Sequence, residues 1–478
     1  MEAAKAPVVT PSATGYRSSS PIGIENAVPG SAGWKLVSNG LITGYADTTS
    51  VGVRETVRFA VSTMSASFKL DIYRLGWYAG AGGRLMLSVD SIPGSDQGHW
   101  IGKTFGVAGC PTCEADPVTG LIDANWAWSY SLTIPPSWTS GLYIARLTTI
   151  RGDRGSIPFV VRDDDSKTNF LAVLPVNTWQ AYNYWGGNSL YTSVGVGGSK
   201  LTAGKRAVKV SFNRPYVSPA PTPQDLDVIA FLERFGYDVS YATDIDIDRN
   251  PIILARHHLY ISIGHDEYWS KAMRDETEAA RDRGLSLAFL GGNDVYWQAR
   301  YESDAAGTPR RTLVVYRSTS LDPAASTDPQ TTTVTWADPY VNRPQNGLTG
   351  TLFSNGYPRV PEPWRLAISA PTWLTEGTNL RPGDMIPGLE QGECDRSQPN
   401  DSSPPSLQVL GDAHFTASGG DPERCETTWY QTNYQSAVFS AGDTGWPLLL
   451  AGSTGDQRVI RLTRNVLDRL DSLAAPSD

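Results

Sequence analysis

The sequence predicts a β-sandwich of immunoglobulin-like type followed by an open, doubly wound α/β sheet. Three observations lead to this prediction. Short runs of alternating apolar and polar residues, separated by Gly and Pro, occupy the N-terminal part of the chain. Continuous apolar runs that alternate with helical periodicity follow them. The length of 478 residues is also more than one hydrophobic core usually organises.

The first folded region is predicted to span residues 21–162, after a disordered arm over residues 1–20 that consists mainly of Ala, Pro, Ser and Thr. The runs that predict its strands are Glu55–Val61, Phe68–Arg74, Ser129–Ile134, Gly141–Leu147 and Ile157–Val161. About seven short strands over about 140 residues are typical of an immunoglobulin-like sandwich.

The second region is predicted to be an α/β domain formed by residues 163–310 and 410–478. Its predicted strands are Asn169–Leu174, Tyr237–Tyr241, His258–Gly264, Leu285–Gly292, Leu407–Leu410 and Val438–Ala441. Its predicted helices are Asp225–Phe235, Ser270–Arg283 and the amphipathic Val459–Leu473. Ser270 suits an N-cap, and Gly284 suits the position after a helix.

Residues 311–409 lose this alternation and are rich in Pro, Thr, Asp and Gly, which predicts a long, largely irregular insertion with some β-structure. The tandem glycines of Gly195–Gly198 lack the preceding strand and following helix that a phosphate-binding loop needs. We interpret that run as a loop.

Charge and hydropathy exclude two classes of partner. The net charge is −9 and no basic run occurs, which excludes a nucleic-acid partner. No stretch approaches the roughly 18 apolar residues of a membrane span. The N-terminus shows no apolar signal segment, so the protein is expected to be cytoplasmic if Met1 is the native start and secreted if a leader was removed.

The four cysteines do not have the spacing of a zinc site. Cys110 and Cys113 form a lone Cys-Pro-Thr-Cys segment, which indicates a local disulfide or two ordinary thiols. Cys394 and Cys425 lie in irregular sequence, where a disulfide would hold distant segments together.

Polar clusters follow three of the predicted strands, at Asn177–Trp185, Gly264–Trp269 and Gly291–Asp294. Ligands of open α/β sheets bind outside the carboxyl ends of the strands. These clusters are therefore expected to converge on one crevice if their strands are neighbours.

His265 and Glu267 stand two residues apart, so an extended backbone would turn both side chains to the same side. Such a pair can be a metal ligand beside a second-shell partner, or a base oriented by its neighbour. Asn293 could donate an amide hydrogen to a developing oxyanion. The alternative is that His265 and Glu267 only anchor loop backbone.

The residue inventory favours metal-activated water over a covalent nucleophile. No Gly-x-Ser-x-Gly segment follows a strand, and no Cys occupies a strand-to-helix turn of the α/β region. Five His residues are too few for a His-rich zinc site to be expected. Carboxylate and tyrosinate oxygens are hard anionic ligands, which suit a hard cation such as Fe(III).

Four segments of the chain resemble signatures of the N,N-dimethylformamidase large (beta) subunit family. They are Ile72–Tyr78, Thr178–Asn183, Gly264–Trp269 and Gly291–Asn293. The His-Asp-Glu-Tyr-Trp segment is the most specific of them. The similarity runs from about residue 22 to residue 310 and resumes over the last forty residues.

The resemblance implies a β-sandwich joined to a glutamine-amidotransferase-like α/β domain that lacks the usual Cys nucleophile. It also implies a mononuclear Fe(III) held by one glutamate and two tyrosines. Carried over by motif, Glu267 matches the glutamate ligand. Tyr182 is the first choice of tyrosine and Tyr143, at about the right interval upstream, is the second, with Tyr184 in reserve.

The resemblance assigns His265 to the position beside the metal and Asn293 to the asparagine after the two glycines. The family also uses an acidic residue near the C-terminal strand, where the segment around Asp443 departs from the family pattern. The predicted activity is iron-dependent hydrolysis of the C–N bond of a small-molecule amide.

Two alternatives remain open from the sequence. One is a tailoring enzyme of another reaction type on the same scaffold, with residues 311–409 shaping its pocket. The other is a non-catalytic carbohydrate- or surface-binding protein, suggested by the sandwich and the 15 Trp residues. Homo-oligomer formation and a small helper subunit are also left open.

Overall fold

The computed structural model describes residues 20–36, 40–101, 106–192, 206–217, 220–353, 356, 358, 360–390, 392–417, 420–452 and 455–473. The predicted arm over residues 1–20 lies outside these ranges except for Ser20, which caps the first helix. The predicted Gly195–Gly198 loop also lies outside the described residues.

The N-terminal region is built from strands that pair mainly antiparallel. Its described elements are helix α1 (Pro21–Asn26) and strands β1 (Ile42–Ala46), β2 (Ser50–Gly52), β3 (Thr56–Thr63), β4 (Ser67–Leu75), β5 (Gly83–Pro93), β6 (His99–Ile101), β7 (Gly106–Ala108), β8 (Tyr130–Thr133), β9 (Gly141–Thr149) and β10 (Arg154–Arg162). All five predicted strands are confirmed within one to three residues at each end.

Two of its sheets share one apolar core. One sheet has the order β1-β3-β8 and the other β2-β10-β9-β4-β5, with only the β2–β10 pair of that sheet parallel. Val57 and Phe59 of the first sheet pack in the same cluster as Ile72 and Phe159 of the second. The structure thus confirms a β-rich region of two packed sheets, while its immunoglobulin-like type stays a prediction.

The rest of the chain alternates strands and helices before a β-rich stretch. The strands are β11 (Phe170–Leu174), β12 (Lys209–Ser211), β13 (Val239–Thr243), β14 (Leu259–Ile263), β15 (Tyr268–Ser270), β16 (Ser286–Leu290), β17 (Trp297–Glu302), β18 (Thr312–Val314), β19 (Leu352–Phe353), β20 (Glu362–Leu366), β21 (Met385–Glu390), β22 (Asp395–Arg396), β23 (Gln408–Thr416), β24 (Pro422–Gln431) and β25 (Ala437–Ser440). The helices are α2 (Val176–Tyr182), α3 (Pro223–Arg234), α4 (Asp244–Arg249), α5 (Lys271–Arg281), α6 (Ala324–Thr327), α7 (Asn346–Thr349) and α8 (Gln457–Leu473).

A nine-stranded mixed sheet organises this part, with the order β13-β11-β14-β16-β25-β24-β23-β20-β21. The first five strands are parallel, and the other four add antiparallel neighbours. Helices α3 and α8 contribute Leu232 and Leu467 to one core, whereas α4 and α5 contribute Ile247 and Met273 to another. Helices on both faces and consecutive buried strands are what the apolar runs predicted.

Strands β20 and β21 lie within the predicted insertion, where some β-structure was expected, and they extend the main sheet. Pro residues within both strands hid them in the sequence. Pro387 is tolerated because β21 lies at the edge of the sheet, where a ladder hydrogen bond is not required. The division of the chain into domains at residues 162, 310 and 410 stays a prediction.

The cysteines form two disulfides, Cys110–Cys113 and Cys394–Cys425. Of the two interpretations of the Cys-Pro-Thr-Cys segment, the local disulfide is therefore the one observed. No helix within the described ranges has the length and apolar character needed to cross a bilayer.

Candidate functional site

The three predicted polar clusters meet at the carboxyl ends of the parallel strands of the main sheet. Helix α2 follows β11, and the other two clusters follow β14, which pairs with β11, and β16, the next strand of the sheet. The backbone N–H of Glu267 donates to Thr178 Oγ1 over 3.0 Å, and that of Asp266 donates to Asp294 Oδ1 over 3.1 Å. The loops after these three strands are thus tied to one another directly.

Glycine allows the loops after β14 and β16 to approach this closely. A Cβ on Gly291 would lie 1.7 Å from the carbonyl oxygen of Gly264. A Cβ on Gly292 would lie 2.7 Å from the carbonyl oxygen of Glu393. Any side chain at either position would force these backbone segments apart.

Glu267 lies at the centre of a cluster of side-chain oxygen atoms, two of which belong to tyrosine hydroxyls. The Tyr191 hydroxyl donates to Glu267 Oε1 over 2.8 Å and to Oε2 over 2.7 Å, and the Tyr182 hydroxyl donates to Oε2 over 3.1 Å. The two phenol rings stack with centroids 4.3 Å apart. Two phenol oxygens and a carboxylate therefore converge from α2, the segment after it and the loop after β14.

The charge on Glu267 determines the ionisation of its neighbours. Burial and the negative charge of Glu267 raise the pKa of the Tyr182 and Tyr191 phenols, which favours their neutral form. Burial opposes ionisation of Glu267, but the hydrogen bond and charge of His265 hold its pKa below the usual range. A carboxylate that accepts hydrogen bonds from two phenols is the result.

His265 faces two carboxylates. Its Nδ1 lies 2.9 Å from the carbonyl oxygen of Gly292, which makes Nδ1 the donor and turns Nε2 toward the site. Nε2 lies 3.4 Å from Glu267 Oε2 and 3.6 Å from Glu393 Oε2. Burial alone would lower the pKa of His265, but these two carboxylates raise it to about 10.

Asn293 adjoins this pair through Glu393. Its Nδ2 donates to Glu393 Oε2 over 2.7 Å, and its backbone has a left-handed φ of 51°. Left-handed backbone at a residue other than Gly is strained and is often found at functional sites. The structure thus places Asn293 next to His265, with one amide hydrogen directed at Glu393.

A cavity of about 220 Å³ opens beside these groups. Its lining includes Pro175, Trp179, Tyr182, His265 and Glu393. A larger cavity of about 1000 Å³ opens at the amino ends of β14 and β16, the opposite edge of the sheet. The smaller cavity is therefore the one that lies at the carboxyl ends of the strands, where the sequence predicts the functional site.

The structure corrects the expectation for Tyr143. This residue is fully buried in the apolar core that the two N-terminal sheets share, stacks on Trp138 with centroids 5.0 Å apart, and donates its hydroxyl to the carbonyl of Thr139 over 2.7 Å. A Tyr hydroxyl bonded to backbone a few residues upstream is the arrangement called a tyrosine corner. Tyr143 is therefore a packing residue and does not join Glu267. The reserve residue, Tyr184, is 37% exposed at the surface.

Replacing Tyr143 with Phe is expected to destabilise the protein without affecting the site. The variant loses a buried hydrogen bond and leaves the Thr139 carbonyl without that donor, which costs about 1–3 kcal/mol of unfolding free energy. Denaturant unfolding measures this loss. Unchanged stability would contradict the tyrosine-corner assignment.

Two residues of the site were not predicted. Tyr191 lies in irregular sequence beyond the cluster recognised after β11, where no periodicity marks it. Glu393 lies in the predicted insertion, 100 residues after Asn293. Asp443, which the sequence analysis considered for the C-terminal acidic position, instead accepts the backbone N–H of Gly392 over 3.0 Å.

Asp443 also belongs to a second group of potential metal ligands. Carboxylate oxygens of Glu390 and Asp443 and the sulfurs of Cys394 and Cys425 lie within 4.8 Å of one another. The two sulfurs are joined in a disulfide, so neither is a thiolate ligand. Glu267 and its phenols are the better candidate for a metal centre.

Asp225, another residue lining the cavity, is expected to make stability depend on pH. Burial raises the pKa of its carboxyl to about 7, well above the value of about 3.9 in unfolded chains. Between these values the folded state holds a proton that the unfolded state has lost, so the unfolding free energy falls as pH rises from about 4 to 7. Thermal unfolding at several pH values should show a flatter profile for Asp225→Asn. The exposed Asp421→Asn is the control, and a wild-type profile in Asp225→Asn would contradict this account.

Comparison with known proteins supports one family. The family described as N,N-dimethylformamidase beta subunit-like, C-terminal, matches residues 69–458. The chain is 22% identical over 291 residues to the N,N-dimethylformamidase beta subunit of Paracoccus aminophilus and 21% identical over 293 residues to that of Alcaligenes sp.. These matches cover 51% and 52% of this chain but only 36% of each relative.

Among solved structures, a cycloisomaltooligosaccharide glucanotransferase of Paenibacillus sp. in complex with cycloisomaltoheptaose has a TM-score of 0.16 and 9% identity. The match covers 58% of this chain and 34% of that one, and its score is too low to support an argument. The family match, in contrast, covers most of the chain and confirms the resemblance seen in the sequence motifs. The chain belongs to the N,N-dimethylformamidase beta subunit-like, C-terminal family.

Proposed function

We propose that this protein is an amide hydrolase that acts on small amides and holds a mononuclear Fe(III) through Tyr182, Tyr191 and Glu267. The observation that carries the proposal is the convergence of both phenol oxygens on the Glu267 carboxylate, each within 3.1 Å of it. Two curated relatives are named as N,N-dimethylformamidase subunits, which supports amide hydrolysis as the reaction type.

The donor set fits a trivalent cation. Two phenolates and one carboxylate carry three negative charges, and all three are hard oxygen ligands. A bound multivalent cation favours the deprotonated phenols, which reverses the effect that Glu267 alone has on their pKa. When bound, the iron would act as a Lewis acid toward an amide carbonyl or water.

The neighbouring residues can hold and move a proton beside this centre. His265 presents Nε2 to the cavity edge while its Nδ1 stays on the Gly292 carbonyl, so a proton can leave or return at Nε2 without the ring turning. Glu393 lines the cavity and can accept a proton from an incoming water. Asn293 fixes the Glu393 carboxylate through its Nδ2.

The size of the cavity limits the substrate. A volume of about 220 Å³ lies below the range of roughly 300–1,000 Å³ that is typical for drug-sized ligands. Trp179 and Pro175 provide an apolar wall, and Thr178 and Thr444 provide polar contacts. We therefore expect small neutral amides with short substituents on nitrogen.

The structure gives less support to the carbohydrate-binding alternative. That alternative was suggested by the predicted sandwich and by the 15 Trp residues. Trp185, Trp269, Trp336, Trp364 and Trp446 instead rank among the largest fully buried side chains. Many of the Trp residues thus form the core.

An amine-release assay tests the proposed function. Iron-loaded protein is offered formamides and acetamides of increasing size, with chelator-treated protein and His265→Ala as controls. We expect hydrolysis that depends on iron, declines with substrate size, and falls by about 100-fold or more in His265→Ala. Fully iron-loaded protein that hydrolyses none of these amides would refute the proposal.

A further inference from the structure

A directed chain of hydrogen bonds extends the site beyond Tyr191. The Arg317 guanidinium donates to the Tyr268 hydroxyl, and the Tyr268 hydroxyl donates to the Tyr191 hydroxyl over 2.8 Å. Tyr191 in turn donates to Glu267. Every donor in this series points toward Glu267.

The Arg317 guanidinium is also enclosed by aromatic rings. Its central carbon lies 4.3 Å from the centroid of the Tyr191 ring and 4.5 Å from that of Trp297. A cation over an aromatic face is attracted by the π electrons of the ring, most strongly where water is excluded. The Arg317 charge thus acts directly on the ring of Tyr191. It also acts on the Tyr191 oxygen through the hydrogen bonds of Tyr268.

Two features of Arg317 indicate that its placement is specific. Its backbone has a left-handed φ of 56°, held by a 2.7 Å hydrogen bond from its N–H to the Thr333 carbonyl. Within the described ranges, no carboxylate lies at ion-pair distance from its guanidinium. A strained backbone therefore delivers a positive charge that acts on Tyr268, Tyr191 and Glu267.

We propose that Tyr268 and Arg317 are positioning residues that hold the Tyr191 oxygen at the metal centre. This inference rests on the proposed function, because it assumes that Tyr191 is a ligand. If Tyr191 released its proton to solvent on binding a cation, its oxygen would no longer donate to Glu267 but would still accept from Tyr268. The guanidinium would then offset part of the negative charge that remained on the phenolate.

The proposal makes a spectroscopic prediction. Removing the Tyr268 hydrogen bond or the Arg317 charge raises the energy of the phenolate electrons, so their transfer to iron requires less energy. Tyr268→Phe and Arg317→Gln are therefore expected to move the tyrosinate-to-iron absorption band to longer wavelength. Both should also weaken Fe(III) binding about 10–100-fold, as is typical for outer partners of metal ligands.

Matched variants separate this role from general structural damage. Arg317→Lys keeps the charge and should shift the band less than Arg317→Gln. Tyr260→Phe removes a buried hydroxyl from β14, and Arg343→Gln removes a guanidinium that lies over Trp336 and pairs with Asp275. Neither control should move the band.

The experiment is titration of the full chain with Fe(III), followed by visible absorption and by equilibrium metal content. If Tyr268→Phe fails to fold, the comparison of Arg317→Gln with Arg317→Lys decides. If iron-loaded Tyr268→Phe and Arg317→Gln show the absorption band at the wild-type wavelength, this inference is overturned and the proposed function is not. Wild-type protein that binds no Fe(III) overturns the proposed function, and this inference with it.

Discussion

Glu267→Gln is expected to lose its iron and to lower amide hydrolysis by at least about a hundredfold. Loss of a residue that only supports a metal ligand costs up to about a hundredfold, and loss of a ligand itself should cost at least as much. Glu267 accepts hydrogen bonds from both phenols and lies 3.4 Å from His265 Nε2, so one carboxylate organises the whole cluster. Gln keeps the shape but removes one of the three negative charges that would balance Fe(III). Metal content and amine release on the same preparation measure the effect.

Glu393→Gln is the matched control for this prediction. Glu393 Oε2 lies 3.6 Å from His265 Nε2 and accepts from Asn293 Nδ2. The variant is expected to keep its iron while hydrolysis falls roughly 100-fold, because a carboxylate that handles protons is lost. Glu267→Gln that retained the wild-type iron content would show that Glu267 is not a ligand.

The double variant Tyr182→Phe/Tyr191→Phe is expected to lose the tyrosinate-to-iron absorption band completely. Both phenol oxygens contact Glu267, and their rings stack at 4.3 Å, so each single variant should retain a weaker band and bind Fe(III) at least about tenfold less tightly. Phe preserves the stacked rings and removes only the oxygens. Visible absorption during Fe(III) titration is the measurement.

Tyr143→Phe supplies the control for the tyrosine variants. Its hydroxyl is bonded to Thr139 within the sandwich core, so the band should match that of the wild type. A band that survives in the double variant but disappears in Tyr143→Phe would restore Tyr143 as a ligand and contradict the assignment of Tyr191.

Much of the scaffold could be predicted from the sequence because hydrophobic periodicity is a local property. The apolar run that became β14 placed the His265–Glu267 loop at a strand end, and the run that became β11 did the same for Tyr182. Parallel pairing of neighbouring strands then brings such loops together. The positions of His265, Glu267 and Tyr182 at strand ends therefore followed from the hydrophobic pattern of the sequence.

The remaining site residues depend on contacts that no local pattern encodes. The interval between Tyr143 and Tyr182 suggested a ligand, but the alternation of β9 turns Tyr143 into the sandwich core. Tyr191 reaches Glu267 from irregular chain, where neither helical nor strand periodicity applies. Glu393 arrives from the predicted insertion, through a loop fixed by the bond from the Asp395 N–H to the Gly442 carbonyl.

The number of iron atoms per chain tests the central claim most directly. The full chain is purified, stripped with chelator, reloaded with Fe(III), desalted and analysed by mass spectrometry for metals. The account predicts one iron per chain in the wild type and almost none in Glu267→Gln. Wild-type protein that retains no iron after reloading would contradict it.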